Sequence, residues 1–101
     1  MKAEQGDLLR IDGVSQPALV VSNNYFNESD MAVVCPVVKS AVEGPLHIKV
    51  QIKEAEAYVL CEQLKLIDLK TRRFSKTGTI LHYDVLNATD AIMGIFDYQN
   101  I

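Results

Sequence analysis

Apolar and polar residues alternate along short stretches of this chain, a pattern typical of β-strands with one buried face. The clearest stretch is His47–Ile52, in which three aliphatic side chains alternate with three polar ones. Pro36 predicts a bulge or a sheet edge for the strand that contains it. Runs rich in β-branched and apolar residues predict the other strands. These are Leu8–Ile11, Pro17–Val21, Ala32–Val38, Ala57–Cys61 and Lys76–Leu81, with Leu64–Leu69 as a continuation of Ala57–Cys61.

The last part of the chain has a helical periodicity instead. One stripe of side chains recurs there at intervals of three and four residues, which predicts an amphipathic helix. Ser22–Asn27 predicts a capped turn or a single helical turn. Together the elements predict a mainly β (β+α) fold, a small antiparallel barrel-like sheet with a C-terminal helix, in a single domain over residues 1–101. The helical stripe consists of Val85, Thr89, Ile92, Met93 and Phe96.

Length and composition indicate one small globular domain. The chain has 101 residues, of which 49% are hydrophobic and 23% charged, and no apolar run approaches the ~18 to 20 residues of a membrane-spanning helix. No hydrophobic stretch follows the single Lys near the N-terminus, so no signal peptide is predicted and the expected location is cytoplasmic. A small core gains stability from dimerisation, so a homo-oligomer is expected.

The distribution of charge differs from the net charge of −3. Residues 64–78 contain five basic residues and one acidic residue, a local charge of +4. Such a segment is either a cationic patch that holds a phosphate backbone or a solvated turn, and the sequence leaves both interpretations open.

Cys35 and Cys61 each lie between apolar neighbours. They are interpreted as small buried hydrophobic residues, because a cytoplasmic disulfide is disfavoured and no histidine lies at zinc-ligand spacing. No metal site or cofactor is expected.

Five short blocks occur in order along the chain: Gly6–Leu9, Pro17–Ser22, Val33–Val37, Glu62–Asp68 and Lys76–Thr79. In this order they resemble the MazF/PemK family of growth-inhibitor toxins. The resemblance implies an SH3-like barrel, a homodimer, a cytoplasmic location and a partner antitoxin peptide that blocks the active groove. It also implies sequence-selective, metal-independent cleavage of single-stranded RNA, with operator DNA as a possible ligand of the toxin–antitoxin complex.

The chain departs from the family at two site positions. Where relatives commonly have an Arg before the proline of the second strand, this chain has Gln16, and where they commonly have a Thr after the third strand, it has Val38. Glu62 stands where many relatives have Asp and is either a general base or a structural group. The candidate catalytic residues are therefore Gln16 and Glu62, while His47 and His82 are interpreted as solvated surface groups. The candidate nucleic-acid-binding residues are Lys39, Ser40, Gln63, Lys65, Arg72 and Arg73.

Three hypotheses are compatible with these residues. The first is an RNA-cleaving toxin with a rearranged set of catalytic groups. The second is a catalytically impaired relative that acts as an antitoxin- or nucleic-acid-binding module, as Gln16 and Val38 suggest. The third is a gyrase poison resembling CcdB, which the length and the terminal Ile101 fit loosely but the absence of Trp does not.

Overall fold

The computed structural model describes residues 2–97, which form seven strands and two helices. In chain order they are β1 (Asp7–Ile11), β2 (Ala18–Val20), α1 (Asn24–Asn27), β3 (Met31–Val38), β4 (His47–Ile52), β5 (Ala55–Leu60), β6 (Lys65–Asp68), β7 (Phe74–Thr79) and α2 (His82–Ile95).

All strand pairs are antiparallel, and they run in the order β4-β5-β3-β2-β1-β7, with β6 paired to β3. The predicted mainly β fold with a C-terminal helix is confirmed, as a curled half-barrel sheet against which α2 packs at β4. The single helical turn expected in Ser22–Asn27 is α1, and Asn23 caps it by accepting a hydrogen bond from the Phe26 N–H.

Along one edge of the central strand β3, the partner strand changes near Pro36. On that side β6 pairs with β3 up to Val34, and β5 pairs with it from Val37 onward. The N–H of Val37 donates to the Pro17 carbonyl on the β2 side, so the missing N–H of Pro36 falls on the opposite side. Pro36 is thus accommodated at a gap between two partner strands, and not at the bulge or sheet edge that was expected.

The segment Leu64–Leu69 does not continue β5, so that prediction is wrong. The chain turns after Leu60, whose carbonyl accepts from the Gln63 N–H at 3.1 Å, and β6 then pairs with the first half of β3. Its partner is a distant strand, which local sequence does not indicate.

Both faces of the sheet are buried over much of their area. Leu8 and Leu9, consecutive in β1, belong to separate cores because successive side chains of a strand point to opposite faces. One core lies beneath α2 and the other on the opposite face of the sheet. The core beneath α2 includes Leu8, Leu19, Val37, Val59, Val85 and Ala88, and the other includes Leu9, Ile11, Ala18, Val20, Val34 and Ile67.

Cys35 and Cys61 are free thiols buried in the core beneath α2, so their interpretation as small buried hydrophobic residues is confirmed. Burial raises the pKa of Cys35 to about 12 and that of Cys61 to about 11. Thiols this buried and this weakly acidic are poor nucleophiles. Within residues 2–97, neither α1 nor α2 is long and apolar enough to cross a bilayer.

Candidate functional site

Gln16 and Val38, the two positions at which the resemblance implies a departure from the family, lie opposite each other. The Pro17 carbonyl accepts a hydrogen bond from the Val37 N–H at 2.9 Å. In an antiparallel pair the neighbouring positions are then also opposed, which places Gln16 across from Val38 at the open end of β2 and β3.

A row of side chains continues from Val38 across the sheet. Val38 pairs with Tyr58 of β5, and Tyr58 pairs with Lys49 of β4. Directly opposed residues of antiparallel strands project from the same face, so Val38, Tyr58 and Lys49 share one face, and Gln16, in the bend before β2, lies at the end of this row. The Lys49 Nζ lies 5.9 Å from the centroid of the Tyr58 ring, and 3.9 Å from Glu56 Oε1.

His47 extends this face toward Glu62. It precedes Lys49 by two residues in β4 and therefore points to the same side. Its Nε2 lies 3.0 Å from Glu62 Oε2, and its Nδ1 is hydrogen-bonded to the Val42 carbonyl. We call the six residues of this surface the site face: Gln16, Val38, His47, Lys49, Tyr58 and Glu62.

The partners of His47 determine its protonation state. A carbonyl oxygen and an ionised carboxylate oxygen can only accept hydrogen bonds, so with Glu62 ionised this arrangement favours the imidazolium form of His47, in which both ring nitrogens donate. The hydrogen bond to Glu62 and the one to Val42 raise the pKa of His47 above its ordinary value. The hydrogen bond from His47 lowers the pKa of Glu62 in turn.

Two shallow clefts open beside the His47 ring. Glu43, Gly44 and His47 line both of them. The larger cleft, of about 330 Å³, is completed by Lys49 and Tyr58, and the smaller one, of about 250 Å³, by Pro45, Leu46 and Glu62. His47 therefore lies between a carboxylate on one side and a lysine with an aromatic ring on the other.

Of the residues predicted to bind nucleic acid, three lie near the ends of the strands that form the site face. Lys39 and Ser40 follow β3 directly, and Gln63 follows Glu62 in the turn after β5; all three are exposed. Lys65, the first residue of β6, lies apart from the two clefts and lines a separate groove.

The two arginines flank the loop that carries Gln16. Arg72 Nη1 donates to the Asp12 carbonyl at 3.3 Å, and the Asp12 N–H donates to the Arg73 carbonyl at 3.0 Å. The basic side chains of segment 64–78 therefore do not form one continuous patch. Lys65 lines a separate groove, and the Lys76 Nζ lies 3.2 Å from Asp7 Oδ1.

An apolar groove of about 620 Å³ runs between α2, α1 and β6. Its exposed apolar side chains include Leu66, Met93 and Phe96, which are 58%, 63% and 66% exposed. We call this surface the apolar groove. Its lining also includes Phe26, Val33, Leu64 and Ile92.

No metal site is evident in the part of the chain that the structure describes. Residues 2–97 contain no group of three or more His, Cys, Asp or Glu side chains placed to hold an ion.

The sequence over residues 10–96 matches the family model for the PemK-like, MazF-like toxin of type II toxin–antitoxin systems. The chain belongs to this toxin family. A comparison with curated proteins gives no match.

Solved structures of MazF toxins share the fold of this family member. The MazE–MazF complex (Form-I) from Deinococcus radiodurans matches with a TM-score of 0.83 at 18% identity, over 95% of this chain and 97% of that chain. An endoribonuclease in complex with its cognate antitoxin from a mycobacterial species matches with a TM-score of 0.79 at 17% identity, over 93% and 94%. The toxin MazF-mt6 of Mycobacterium tuberculosis matches with a TM-score of 0.70 at 15% identity, over 91% and 98%.

Sequence reasoning did not assign His47, Lys49 or Tyr58 to the site. A signal for them exists in the β4–β5 hairpin, where Ile52 pairs with Ala55 across a two-residue turn. Counting back from that turn sets His47 opposite Leu60, two residues before Glu62. The alternation of β4 combined with this turn would have placed His47 and Glu62 together.

Proposed function

We propose that this protein is the toxin of a toxin–antitoxin pair and that it cleaves single-stranded RNA in the cytoplasm without a metal ion. The observation that carries the proposal is the site face. The Tyr58 ring pairs with Val38, one of the two positions at which relatives commonly have Arg and Thr, and the Lys49 ammonium and the Glu62 carboxylate lie farther along the same face.

RNA cleavage by the ribose 2′-hydroxyl needs three groups. A base takes the hydroxyl proton, a cation or strong donor stabilises the phosphoryl oxygens, and an acid protonates the leaving 5′-oxygen. Glu62, ionised and 38% exposed, is suited to the first role. Gln16 donates only an uncharged hydrogen bond at its position, and Val38 donates none, so the remaining roles fall to other residues.

Binding of an extended RNA strand is supported by the groups around the site face. Tyr58 offers a ring for base stacking. Lys39 and Ser40 lie beyond one end of the Gln16–Val38 pair, and Arg72 and Arg73 lie beside the Asp12–Gln16 loop, where each can contact a phosphate.

We further propose that the protein is a homodimer formed through the apolar groove. Contiguous exposed apolar surface of this kind marks an interaction site. Leu66, Met93 and Phe96 are each more than half exposed, and a second copy would bury them and enlarge a small core.

The antitoxin is proposed to be a peptide that covers the site face. The mycobacterial neighbour is an endoribonuclease solved with its cognate antitoxin, and a segment with acidic side chains would complement His47, Lys49 and the two arginines beside the Gln16 loop. Operator DNA would bind only to the toxin–antitoxin complex.

The test is incubation of the purified protein with a pool of single-stranded RNA of varied sequence, with EDTA present. We expect cleavage at a restricted set of sequences that leaves 2′,3′-cyclic phosphate and 5′-hydroxyl ends, and suppression of cleavage by the antitoxin. In a bacterial host, induced expression should stop growth and degrade RNA together. An RNA pool that stays intact would overturn the proposal.

A second candidate function is a binding module without catalysis, which the uncharged Gln16 and Val38 favour. This alternative predicts antitoxin binding with intact RNA and unimpaired growth. Arrested growth with intact RNA and inhibited DNA supercoiling would instead indicate a gyrase poison of the CcdB type.

A further inference from the structure

We propose that His47 is the general acid of the RNA cleavage and that Lys49 supplies the cation for the phosphoryl oxygens. The inference rests on the proposed function and adds two catalytic residues to the base, Glu62. It follows from three observations: the hydrogen bonds of His47, the exposure of His47 and Glu62 beside two clefts, and the position of Lys49 on the row that begins with Gln16 and Val38.

The first observation is that the fold holds His47 as a proton donor. Both of its ring nitrogens face acceptors, the Val42 carbonyl and the Glu62 carboxylate. In this pair His47 is an acid that still carries its proton, and Glu62 is a base that is already ionised. These are the protonation states that the two groups need before the reaction starts.

The second observation is that His47 and Glu62 remain accessible. Their side chains are 24% and 38% exposed, and the clefts beside them are open to an RNA strand. The other charged groups lining these clefts are Glu43, from the loop before β4, and Lys49, from β4 itself.

The third observation concerns Lys49. It lies at the far end of the row that begins with Gln16 and Val38 and passes through Tyr58. With an uncharged residue in place of the family's arginine, Lys49 is the cation on this row. Its flexible four-carbon stem lets the ammonium move from Glu56, 3.9 Å away, to a bound phosphate.

The reaction balances with these groups alone. A phosphodiester enters by replacing the contact between Glu62 and His47. The 2′-oxygen gives its proton to Glu62 and bonds to phosphorus, while the bond from phosphorus to the 5′-oxygen breaks and that oxygen takes a proton from His47. The products are a 2′,3′-cyclic phosphate and a 5′-hydroxyl. When they leave, the contact at 3.0 Å re-forms and the proton passes from Glu62 back to His47.

The decisive experiment compares two substrates. In the first the leaving atom is the natural 5′-oxygen, and in the second it is sulfur, which leaves as a thiolate without protonation. We expect His47→Gln to lower kcat on the oxygen substrate by ~10² to 10⁴ and to cleave the sulfur substrate at nearly the wild-type rate. Glu62→Gln should be slow on both substrates.

Three controls separate catalysis from folding and binding. His82→Gln, at the other histidine of the chain, should retain wild-type kcat. Affinity for an RNA with a 2′-deoxy block at the cleavage site should change less than about threefold in His47→Gln. In the wild type, kcat should fall above the raised pKa of His47, and this alkaline limb should be absent from His47→Gln acting on the sulfur substrate.

Lys49 has its own comparison. Lys49→Gln should lower kcat by ~10² to 10³ on both substrates, and Lys49→Arg should recover most of the loss. Lys53→Gln, in the turn at the other end of β4, is the matched control and should be unchanged.

The outcomes distinguish the two levels of the proposal. If the wild type cleaves RNA and His47→Gln cleaves the oxygen substrate equally well, the role of His47 is wrong while the proposed function stands. If His47→Gln is equally slow on both substrates, His47 only maintains the structure and the inference again fails. A wild type that cleaves neither substrate overturns both the inference and the proposed function.

Discussion

The Asp84 carboxylate accepts a hydrogen bond from the backbone N–H of Gln51 at 3.0 Å. Gln51 belongs to β4, the last strand on one side of the sheet, and Asp84 lies in the first turn of α2. One buried side chain thus supports the start of the helix electrostatically and satisfies a donor on an unpaired strand edge.

Asp84→Ala should therefore destabilise the fold. Loss of a hydrogen bond to a charged group costs about 1.5–3 kcal/mol of unfolding free energy, measured as a lower midpoint in urea at neutral pH. Asp90→Ala, at an exposed position of the same helix, is the control and should change stability by less than about 0.5 kcal/mol. Equal effects of the two substitutions would contradict the assigned role of Asp84.

The His47–Glu62 contact should make stability depend on pH in a defined window. The pKa of His47 is raised from 6.5, so its contribution is complete below that value and is lost as pH rises through the folded-state pKa. The pKa of Glu62 is lowered from 4.5, so its contribution is complete above that value and is lost as pH falls. Urea midpoints of the wild type and His47→Gln should differ most between these two values and converge on either side, whereas His82→Gln should track the wild type throughout.

Met93→Lys should dissociate the proposed dimer. A charge buried without a partner costs about 3–5 kcal/mol, so the dissociation constant should rise by ~10² or more. Sedimentation velocity at micromolar concentration would then report a species near the 11.3 kDa protomer mass. Tyr83→Lys is the control, since Tyr83 is an exposed residue of α2 that does not line the apolar groove. A wild type that sediments as a monomer would remove the groove as a dimer interface.

Restoring the family residues should raise ribonuclease activity. Gln16→Arg with Val38→Thr places a charged donor and a hydroxyl opposite each other, and one such donor contributes ~10² to 10³ in kcat. Ser15→Arg adds the same charge to the same loop one position away and should have little effect. If the wild type leaves RNA intact and the double variant cleaves it, the binding-module interpretation is the better one, whereas no change after restoration would weaken that interpretation.

Local sequence predicted most of the fold because the strands are encoded locally, β4 by alternation and the others by runs rich in β-branched and apolar residues. The boundaries of β4 are those that His47–Ile52 predicted. β5 begins at Ala55, two residues before the expected Ala57, because the hairpin turn contains only two residues and pairing resumes at once. The assignment of Leu64–Leu69 failed because the pairing of β6 with β3 depends on contacts more than thirty residues apart along the chain.

The site was only partly accessible to sequence reasoning. Residue types and family resemblance identified Glu62 and the departures at Gln16 and Val38, but their roles remain predictions. His47 was interpreted as an isolated surface histidine, because fifteen residues separate it from Glu62 and only the register of the β4–β5 hairpin brings them together. Lys49 was overlooked because an alternating strand normally carries polar residues on its solvated face.

The pairing of β1 with β7 has a consequence for synthesis. It joins residues 7–11 to residues 74–79, so β1 lacks a neighbour on that side until most of the chain has left the ribosome. The loop that carries Gln16 gains its contacts with Arg72 and Arg73 at the same late stage. A translation product truncated before residue 74 would present β1 as an open template for aggregation. It would also lack α2, which forms one wall of the apolar groove.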